Sequence, residues 1–178
     1  MSLRTIITAE DPRLRQRARK VRSITPEVQT LIDDMVDTMR AAPGVGLAAT
    51  QLAMVQRVIV VEHRETDQEP EAPPRLFAVV NPEITHRSSE LVGGVEGCLS
   101  IPGYAGDVER HSWVTVRGLN RHGRPFRLKA HGWLARIFQH EIDHLDGVLF
   151  IDRATRVWKI EPETAEVTSD QLPVASNQ

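Results

Sequence analysis

The pentapeptide His140-Glu141-Ile142-Asp143-His144 combines residue types that bind a metal ion and move protons. Residues four positions apart lie on one face of a helix, so the two imidazoles could bind the same cation. Glu141 would lie beside them and act as a general base toward a water molecule. The pentad therefore predicts a hydrolytic metal site, with His140 and His144 as ligands and Glu141 as a catalytic residue.

A catalytic site of this kind needs a third protein ligand, and three routes can be compared. One protease pattern would require a histidine where this chain has Phe150, which cannot bind a metal. A second class uses a downstream glutamate, and the available ones are Glu161, Glu163 and Glu166. The third candidate is Cys98, the only cysteine, which lies in a glycine-containing turn. We favour Cys98, because the glutamates lie in a segment without a helical apolar pattern to hold them rigidly.

Small residues dominate the segment 44–51, which ends at Gln51. Its letters match a dinucleotide-binding fingerprint, but that fingerprint must follow a strand, and here Pro43 and a helical pattern precede it. We interpret the segment as a loop whose backbone approaches a ligand closely. The amide of Gln51, at the end of this loop, would then face the metal site.

The chain has 178 residues, a formal net charge of −2 and one cysteine. This length fits a single domain, and one cysteine excludes a scaffold held by internal disulfides. The small net charge gives no reason to expect sequence-specific nucleic-acid binding. No apolar run is long enough to span a membrane, and the N-terminus lacks the apolar stretch of a signal peptide. We therefore expect a cytoplasmic protein.

Two amphipathic helices and several short strands are predicted around these motifs. Apolar residues at helical spacing predict one helix over 25–42 and another over 132–146, with Gly147 as the C-terminal cap of the second. Runs rich in branched residues predict strands at 57–61, 76–80, 90–96, 112–117 and 126–129. This pattern indicates an α+β fold over residues 1–160. Residues 161–178 form an acidic tail that we expect to be flexible.

Three segments in this order, 44–51, 96–100 and 139–147, resemble the three-motif signature of the peptide deformylase family. The resemblance implies antiparallel sheets packed around a central helix that carries the third motif. It also implies one divalent metal ion per chain, as a rule Fe(II), with Zn, Ni or Co able to replace it. The implied metal ligands are Cys98, His140 and His144.

The resemblance further implies an activity, the removal of the formyl group from the N-terminal formylmethionine of new polypeptides with release of formate. Glu141 would take a proton from water and return it to the leaving amine. The Gln51 side chain and the Leu99 backbone N–H would stabilise the oxyanion. The family pattern also implies substrate-binding roles for Val45, Gly46, Glu96, Gly97, Arg110, Trp133 and Ile137.

Within that group, Gly46 would offer backbone hydrogen bonds to an extended peptide, as in strand addition. The methionine side chain would enter an apolar pocket bounded by Val45, Trp133 and Ile137. Trp133 and Arg136 stand where many bacterial members have smaller aliphatic residues, which leaves the pocket width open.

The residues before and at Arg110 bear on the second motif. Glu109 precedes Arg110, where the family usually has proline. Arg110 still matches the pattern, and we expect it to pair with Glu96 and to brace the second motif.

Two other functions stay open at this point, a metallopeptidase with a downstream glutamate ligand and a non-catalytic binding module held together by a metal. A structural metal site normally uses four protein ligands, so three ligands with Glu141 beside them favour a catalytic site. The expected partner is an N-formylmethionyl peptide. A transient contact with the ribosome is also possible, and the Arg-rich segment 4–22 could contribute to it.

Overall fold

The computed structural model describes residues 2–64 and 73–160. Its helices are α1 (Pro26–Ala41), α2 (Gly132–Leu145) and the single turn α3 (Phe150–Arg153). Its strands are β1 (Gly46–Ala48), β2 (Val58–His63), β3 (Arg75–Arg87), β4 (Leu91–Cys98), β5 (Ile101–His111), β6 (Trp113–Asn120), β7 (Pro125–His131) and β8 (Arg156–Lys159). Two 3₁₀ turns cover Pro12–Arg15 and Ala49–Leu52.

The strands form two antiparallel sheets. The larger has the order β1-β2-β3-β6-β7 and the smaller the order β4-β5-β8. α2 connects the two, because its apolar side chains pack on the larger sheet while Arg136 reaches the carbonyls of Val92 in β4 and Val108 in β5. The predicted α+β fold, with antiparallel sheets around this helix, is confirmed.

The larger sheet is covered on opposite faces by α1 and α2. In β2, Val58 and Val60 pack in one apolar cluster with α1, whereas Ile59 and Val61 pack in another with α2. This alternation is the two-residue period of a strand that is buried on both faces. Burying each side chain of this size stabilises the fold by about 1.5–3 kcal/mol. β2 therefore stabilises the position of β1, which pairs with it and belongs to the first motif.

Glycines with positive φ angles fix both ends of α2. Gly132 at its start has φ of 52° and Gly147 just beyond its end has φ of 76°, a region that other residues rarely adopt. A Cβ atom at Gly147 would also strike the carbonyl oxygen of Arg15. The helix therefore ends within one turn of His144, and the predicted cap at Gly147 is confirmed.

Four elements differ from the sequence prediction. β3 does not end at Asn81-Pro82 but continues to Arg87, because Asn81 adopts φ of 53° at a shift in register and its side chain bonds both backbone polar groups of Val21. The segment 44–51 is not entirely a loop, because it contains β1. β5 and β8 were not predicted.

No helix within residues 2–64 and 73–160 is both long and apolar enough to cross a membrane. The acidic tail, predicted to be flexible, lies outside the described residues.

Candidate active site

α2 places two histidines and a glutamate at the centre of the molecule. His140 and His144 lie one turn apart, with their ring centroids 5.0 Å from each other. His144 is almost fully buried, and burial together with the charge of His140 lowers the pKa of His144 well below its usual range. A neutral imidazole is the form that binds a metal ion.

Cys98 joins the histidines from the end of β4. Its Sγ atom lies 3.2 Å from Nε2 of His144, and the possible ligand atoms of Cys98, His140 and His144 all lie within 4.8 Å of one another. Bonds of about 2.0–2.3 Å to one tetrahedral cation would place such donors roughly 3–4 Å apart. The three side chains therefore fit a single thiolate- and imidazole-binding divalent cation.

A carboxylate behind the cluster orients one of its ligands. Oε2 of Glu96 lies 2.9 Å from Nδ1 of His140, so that ring donates its Nδ1 proton and keeps Nε2 free as a ligand atom. Burial lowers the pKa of His140, but hydrogen bonding to Cys98 and Glu96 raises it to about 10. The surroundings thus favour positive charge at this ring, so a bound cation would take the place of the proton on Nε2.

Two arginines hold Glu96 in that position. Arg110 donates to both carboxylate oxygens at 2.9 and 3.0 Å, and Arg136 donates to Oε1 at 2.8 Å. Burial alone would raise the pKa of Glu96, but hydrogen bonds from His140 and Arg110 outweigh burial and lower the pKa to about 2. Arg110 also bonds Asp143 on α2 at 2.5 Å. The expected Arg110–Glu96 pair is present, and Arg136 joins it.

Glu141 lies beside the ligands with an unpartnered oxygen. Its Oε2 atom is buried and has no hydrogen-bond partner in the described part of the chain. Burial raises the pKa of Glu141 to about 7, with the charge of Glu96 adding to the effect and that of His140 opposing it. A Cβ atom at Gly46 would lie 2.8 Å from Cδ of Glu141, so a glycine is needed where β1 passes the carboxylate. A carboxyl group with this pKa can both accept and donate a proton near neutral pH.

Gln51 approaches the cluster from the 3₁₀ turn after β1. Its Oε1 accepts from the Ala48 N–H at 2.9 Å, which turns Nε2 toward Sγ of Cys98 at 3.6 Å. The same Nε2 donates to Oγ of Ser100 at 3.1 Å. Ser100 is fully buried and was missed by the sequence reasoning, although it closes the second motif. Leu99 lies between Cys98 and Ser100, in the turn from β4 to β5.

These groups line a cavity of about 430 Å³. The residues predicted to bind substrate that line it are Val45, Gly46, Glu96, Gly97, Trp133 and Ile137. Arg110 does not line this cavity, because it is buried behind Glu96. Trp133 is 48% exposed and so is not a core residue. Arg136 points to Glu96 and away from the cavity, so it does not set the pocket width.

The edge of the larger sheet borders the same cavity. β1 pairs with β2 on one side and is the terminal strand of the sheet, and its Gly46 lines the cavity. A terminal strand presents backbone groups that an extended peptide can pair with.

Comparison with known proteins decides the family. The sequence model of the polypeptide deformylase family matches residues 3–159. This chain belongs to that family. A peptide deformylase of Thermomicrobium roseum is 50% identical over 153 residues, which are 86% of each chain. One of Desulforudis audaxviator is 47% identical over 89% of this chain and 98% of its own.

Solved peptide deformylases have the same fold. The Ehrlichia chaffeensis enzyme in complex with actinonin gives a TM-score of 0.81 at 38% identity, covering 88% of this chain and 91% of that one. The Acinetobacter baumannii enzyme bound to Met-Ala-Ser gives 0.79 at 38% identity, covering 85% and 98%. The prediction of a peptide deformylase is therefore confirmed, and the metallopeptidase and binding-module alternatives are set aside.

Proposed function

We propose that this deformylase hydrolyses N-formylmethionyl peptides to formate and a free amino terminus, with the site residues in the roles given below. The observation that carries the proposal is the convergence of Cys98, His140 and His144 on one point, with the unpartnered carboxylate of Glu141 beside it. The cavity at this point is apolar enough for a methionine side chain and open to the edge of β1.

The three ligands would hold one divalent cation, which acidifies a water molecule and polarises the formyl oxygen when bound. Fe(II) is our proposal for the native metal. Zn, Ni and Co suit the same thiolate and imidazole donors, so they are the expected replacements.

Glu141 carries the proton in this scheme. It accepts a proton from the attacking water and then delivers it to the nitrogen of the leaving amine. A pKa of about 7 leaves both forms accessible near neutral pH. Its buried position beside Gly46 keeps the carboxylate close to the edge strand on which the substrate would lie.

Two donors would stabilise the charge that develops on the formyl oxygen. Gln51 is already oriented by Ala48 and Ser100, so its amide needs little reorganisation during the reaction. The backbone N–H of Leu99 would be the second donor. Val45, Ile137 and Trp133 would contact the methionine side chain.

The peptide would add to β1 through the backbone of Gly46, extending the larger sheet by one strand. The relative bound to Met-Ala-Ser supports a short, extended peptide as the occupant of this groove. We place the reaction in the cytoplasm, with transient contact to the ribosome that supplies formylated chains. The catalytic domain would be residues 1–160, followed by the acidic tail.

The test is formate release from N-formyl-Met-Ala-Ser under anaerobic conditions, with the N-acetyl peptide as the substrate control. We expect turnover of the formyl peptide alone, about one metal ion per chain, and loss of both metal and turnover in Cys98→Ser. Glu141→Gln should keep the metal and lose turnover by at least a hundredfold. Glu109→Gln, an exposed change of the same chemistry, is the matched control and should leave the rate unchanged. Normal turnover in Glu141→Gln would contradict the mechanism.

A further inference from the structure

Positive charge is concentrated in one segment of this chain. The formal net charge of the whole chain is −2, yet no aspartate or glutamate occurs between Glu109 and Glu141. That interval contains seven basic side chains, Arg110, Arg117, Arg121, Arg124, Arg127, Lys129 and Arg136. The segment comprises β6, β7 and the first half of α2.

Three of the seven are held by carboxylates. Arg110 and Arg136 are buried on Glu96, and Arg121 forms an ion pair with Asp33. The remaining four are exposed and form no salt bridge with any residue in 2–64 or 73–160. We call three of them, Arg117, Arg127 and Lys129, the cationic face. Arg124 is left out because it is in phase with Phe126 and Leu128, which pack toward α2.

The apolar cluster around α1 reaches only one end of β6. Along β6, Val114 and Val116 pack toward α2, so the alternate residues point to the opposite face. On that face Leu119 packs into the cluster formed by α1, and no other residue of β6 belongs to that cluster. The preceding positions on that face are Arg117, which is exposed, Thr115, which is buried, and Trp113, which is half-buried.

The pairing of β6 with β7 places basic side chains close together. Arg117 lies directly opposite Arg127, and Thr115 lies opposite Lys129. Like charges directly opposite in an antiparallel pair destabilise the sheet. The ammonium of Lys129 lies 4.4 Å from the ring centroid of Trp113, which orders it on the surface.

One carboxylate of β3, that of Glu83, lies beside Arg117 but already accepts a hydrogen bond from another lysine. Glu83 pairs in register with Arg117, and its Oε1 accepts from Lys20 at 2.8 Å. The row across the three strands is therefore net positive, so the face carries an electrostatic cost that an external polyanion would remove.

We propose that the cationic face binds RNA through its phosphate backbone, without sequence preference. Two of its three cations are arginines, whose guanidinium groups suit phosphate oxygens better than the ammonium group of lysine does. Arg127 and Lys129 are two residues apart on one strand, about 6.6–6.8 Å, so neighbouring side chains can reach successive phosphates. The choice of RNA over other polyanions rests on the proposed function, because formylated nascent chains emerge from an RNA-rich particle.

The test is binding of a fluorescent single-stranded RNA 20-mer to the full chain across a series of salt concentrations. Three phosphate contacts predict a slope of log K against log salt of about −2.1, at ~0.7 per contact. Arg117→Gln with Arg127→Gln should reduce the slope to about −0.7 and weaken binding roughly tenfold at low salt. Arg19→Gln with Arg22→Gln is the matched control, since it removes two exposed cations from the N-terminal segment, and it should change neither value.

Several outcomes would overturn the proposal. One is that the full chain does not bind RNA. Another is that both double variants lose the same amount of RNA affinity. Equal or tighter binding to phosphatidylglycerol vesicles or to polyglutamate would assign the face to a membrane or an acidic protein. Binding that appears only after residues 161–178 are removed would assign it to the chain's own acidic tail. Deformylation of the short peptide should be normal in both double variants, which checks folding and separates this proposal from the catalytic one.

Discussion

Arg136 donates a hydrogen bond from its guanidinium to Oε1 of Glu96 at 2.8 Å, and both side chains are buried. Glu96 in turn fixes the tautomer of His140, so Arg136 acts on a candidate metal ligand through one intermediate. The guanidinium also donates to the backbone carbonyls of Val92 and Val108, which attaches β4 and β5 to α2. One side chain thus links the smaller sheet to the metal site.

Replacing Arg136 with Met should weaken metal retention. Glu96 keeps Arg110 but loses a second buried donor, and outer partners of this kind are typically worth about 10–100-fold in metal affinity. We expect such a loss in competition with a chelator, measured separately from activity. Arg57→Met is the control, because Arg57 is also buried and also bonds the α2 region, through Asp146, without touching Glu96. Equal metal loss in both variants would mean that general destabilisation is the cause.

Two neighbouring glycines in β4 should respond differently to alanine. A Cβ atom at Gly94 would lie 2.8 Å from the guanidinium of Arg136, whereas a Cβ atom at Gly93 would meet nothing within 4 Å. We expect Gly94→Ala to lower the free energy of unfolding by about 1–3 kcal/mol, and Gly93→Ala to change it by less than about 0.5 kcal/mol. Urea denaturation measures both. If Arg136→Met does not relieve the effect of Gly94→Ala, the steric explanation is wrong.

Part of this site could be predicted because its signal is local. The helix pattern and the pentad together place His140, Glu141 and His144 on one side of α2, and the only cysteine supplied the third candidate ligand. Arg136 could not be placed in this way, since its partner Glu96 is forty residues earlier and the pairing depends on β4 lying beside α2. Sequence alone suggested an effect of Arg136 on the pocket, and the structure places it behind the metal site instead.

The strands show the same limit. β2 and the β6–β7 hairpin have regular apolar patterns and were predicted. β5 contains Pro102, Gly103 and Gly106, which usually indicate turns, but pairing with β4 on one side and β8 on the other outweighs this local preference. β3 passes through Asn81-Pro82 because Asn81 gains tertiary hydrogen bonds to Val21.

The N-terminal segment should loosen in acid. Asp34 accepts hydrogen bonds from the Ser2 N–H at 2.7 Å and from Arg4 at 2.8 Å, and these two interactions lower the pKa of Asp34 below its usual value of 3.8. A lowered folded-state pKa means that the contribution to stability is complete above the unfolded pKa and is lost as pH falls through the folded value. We expect Asp34→Asn to cost about 1 kcal/mol at pH 7 and progressively less below about pH 4. Thermal unfolding across pH 3–7 tests this, and a constant difference between the two proteins would contradict it.

Replacing Ser100 with Ala should slow turnover without releasing the metal. Ser100 accepts a hydrogen bond from Nε2 of Gln51, and the change leaves that amide held through its oxygen by Ala48 and through Nε2 by the long 3.6 Å contact with Sγ of Cys98. A donor that is less well oriented stabilises the oxyanion less, so we expect kcat to fall about 3–10-fold while KM and metal content stay constant. Thr50→Val is the control, because Thr50 is equally buried and bonds the carbonyl of His144 instead of Gln51. A rise in KM, or a loss of metal content equal to the fall in kcat, would show that Ser100 acts on the fold or on Cys98, and not through Gln51.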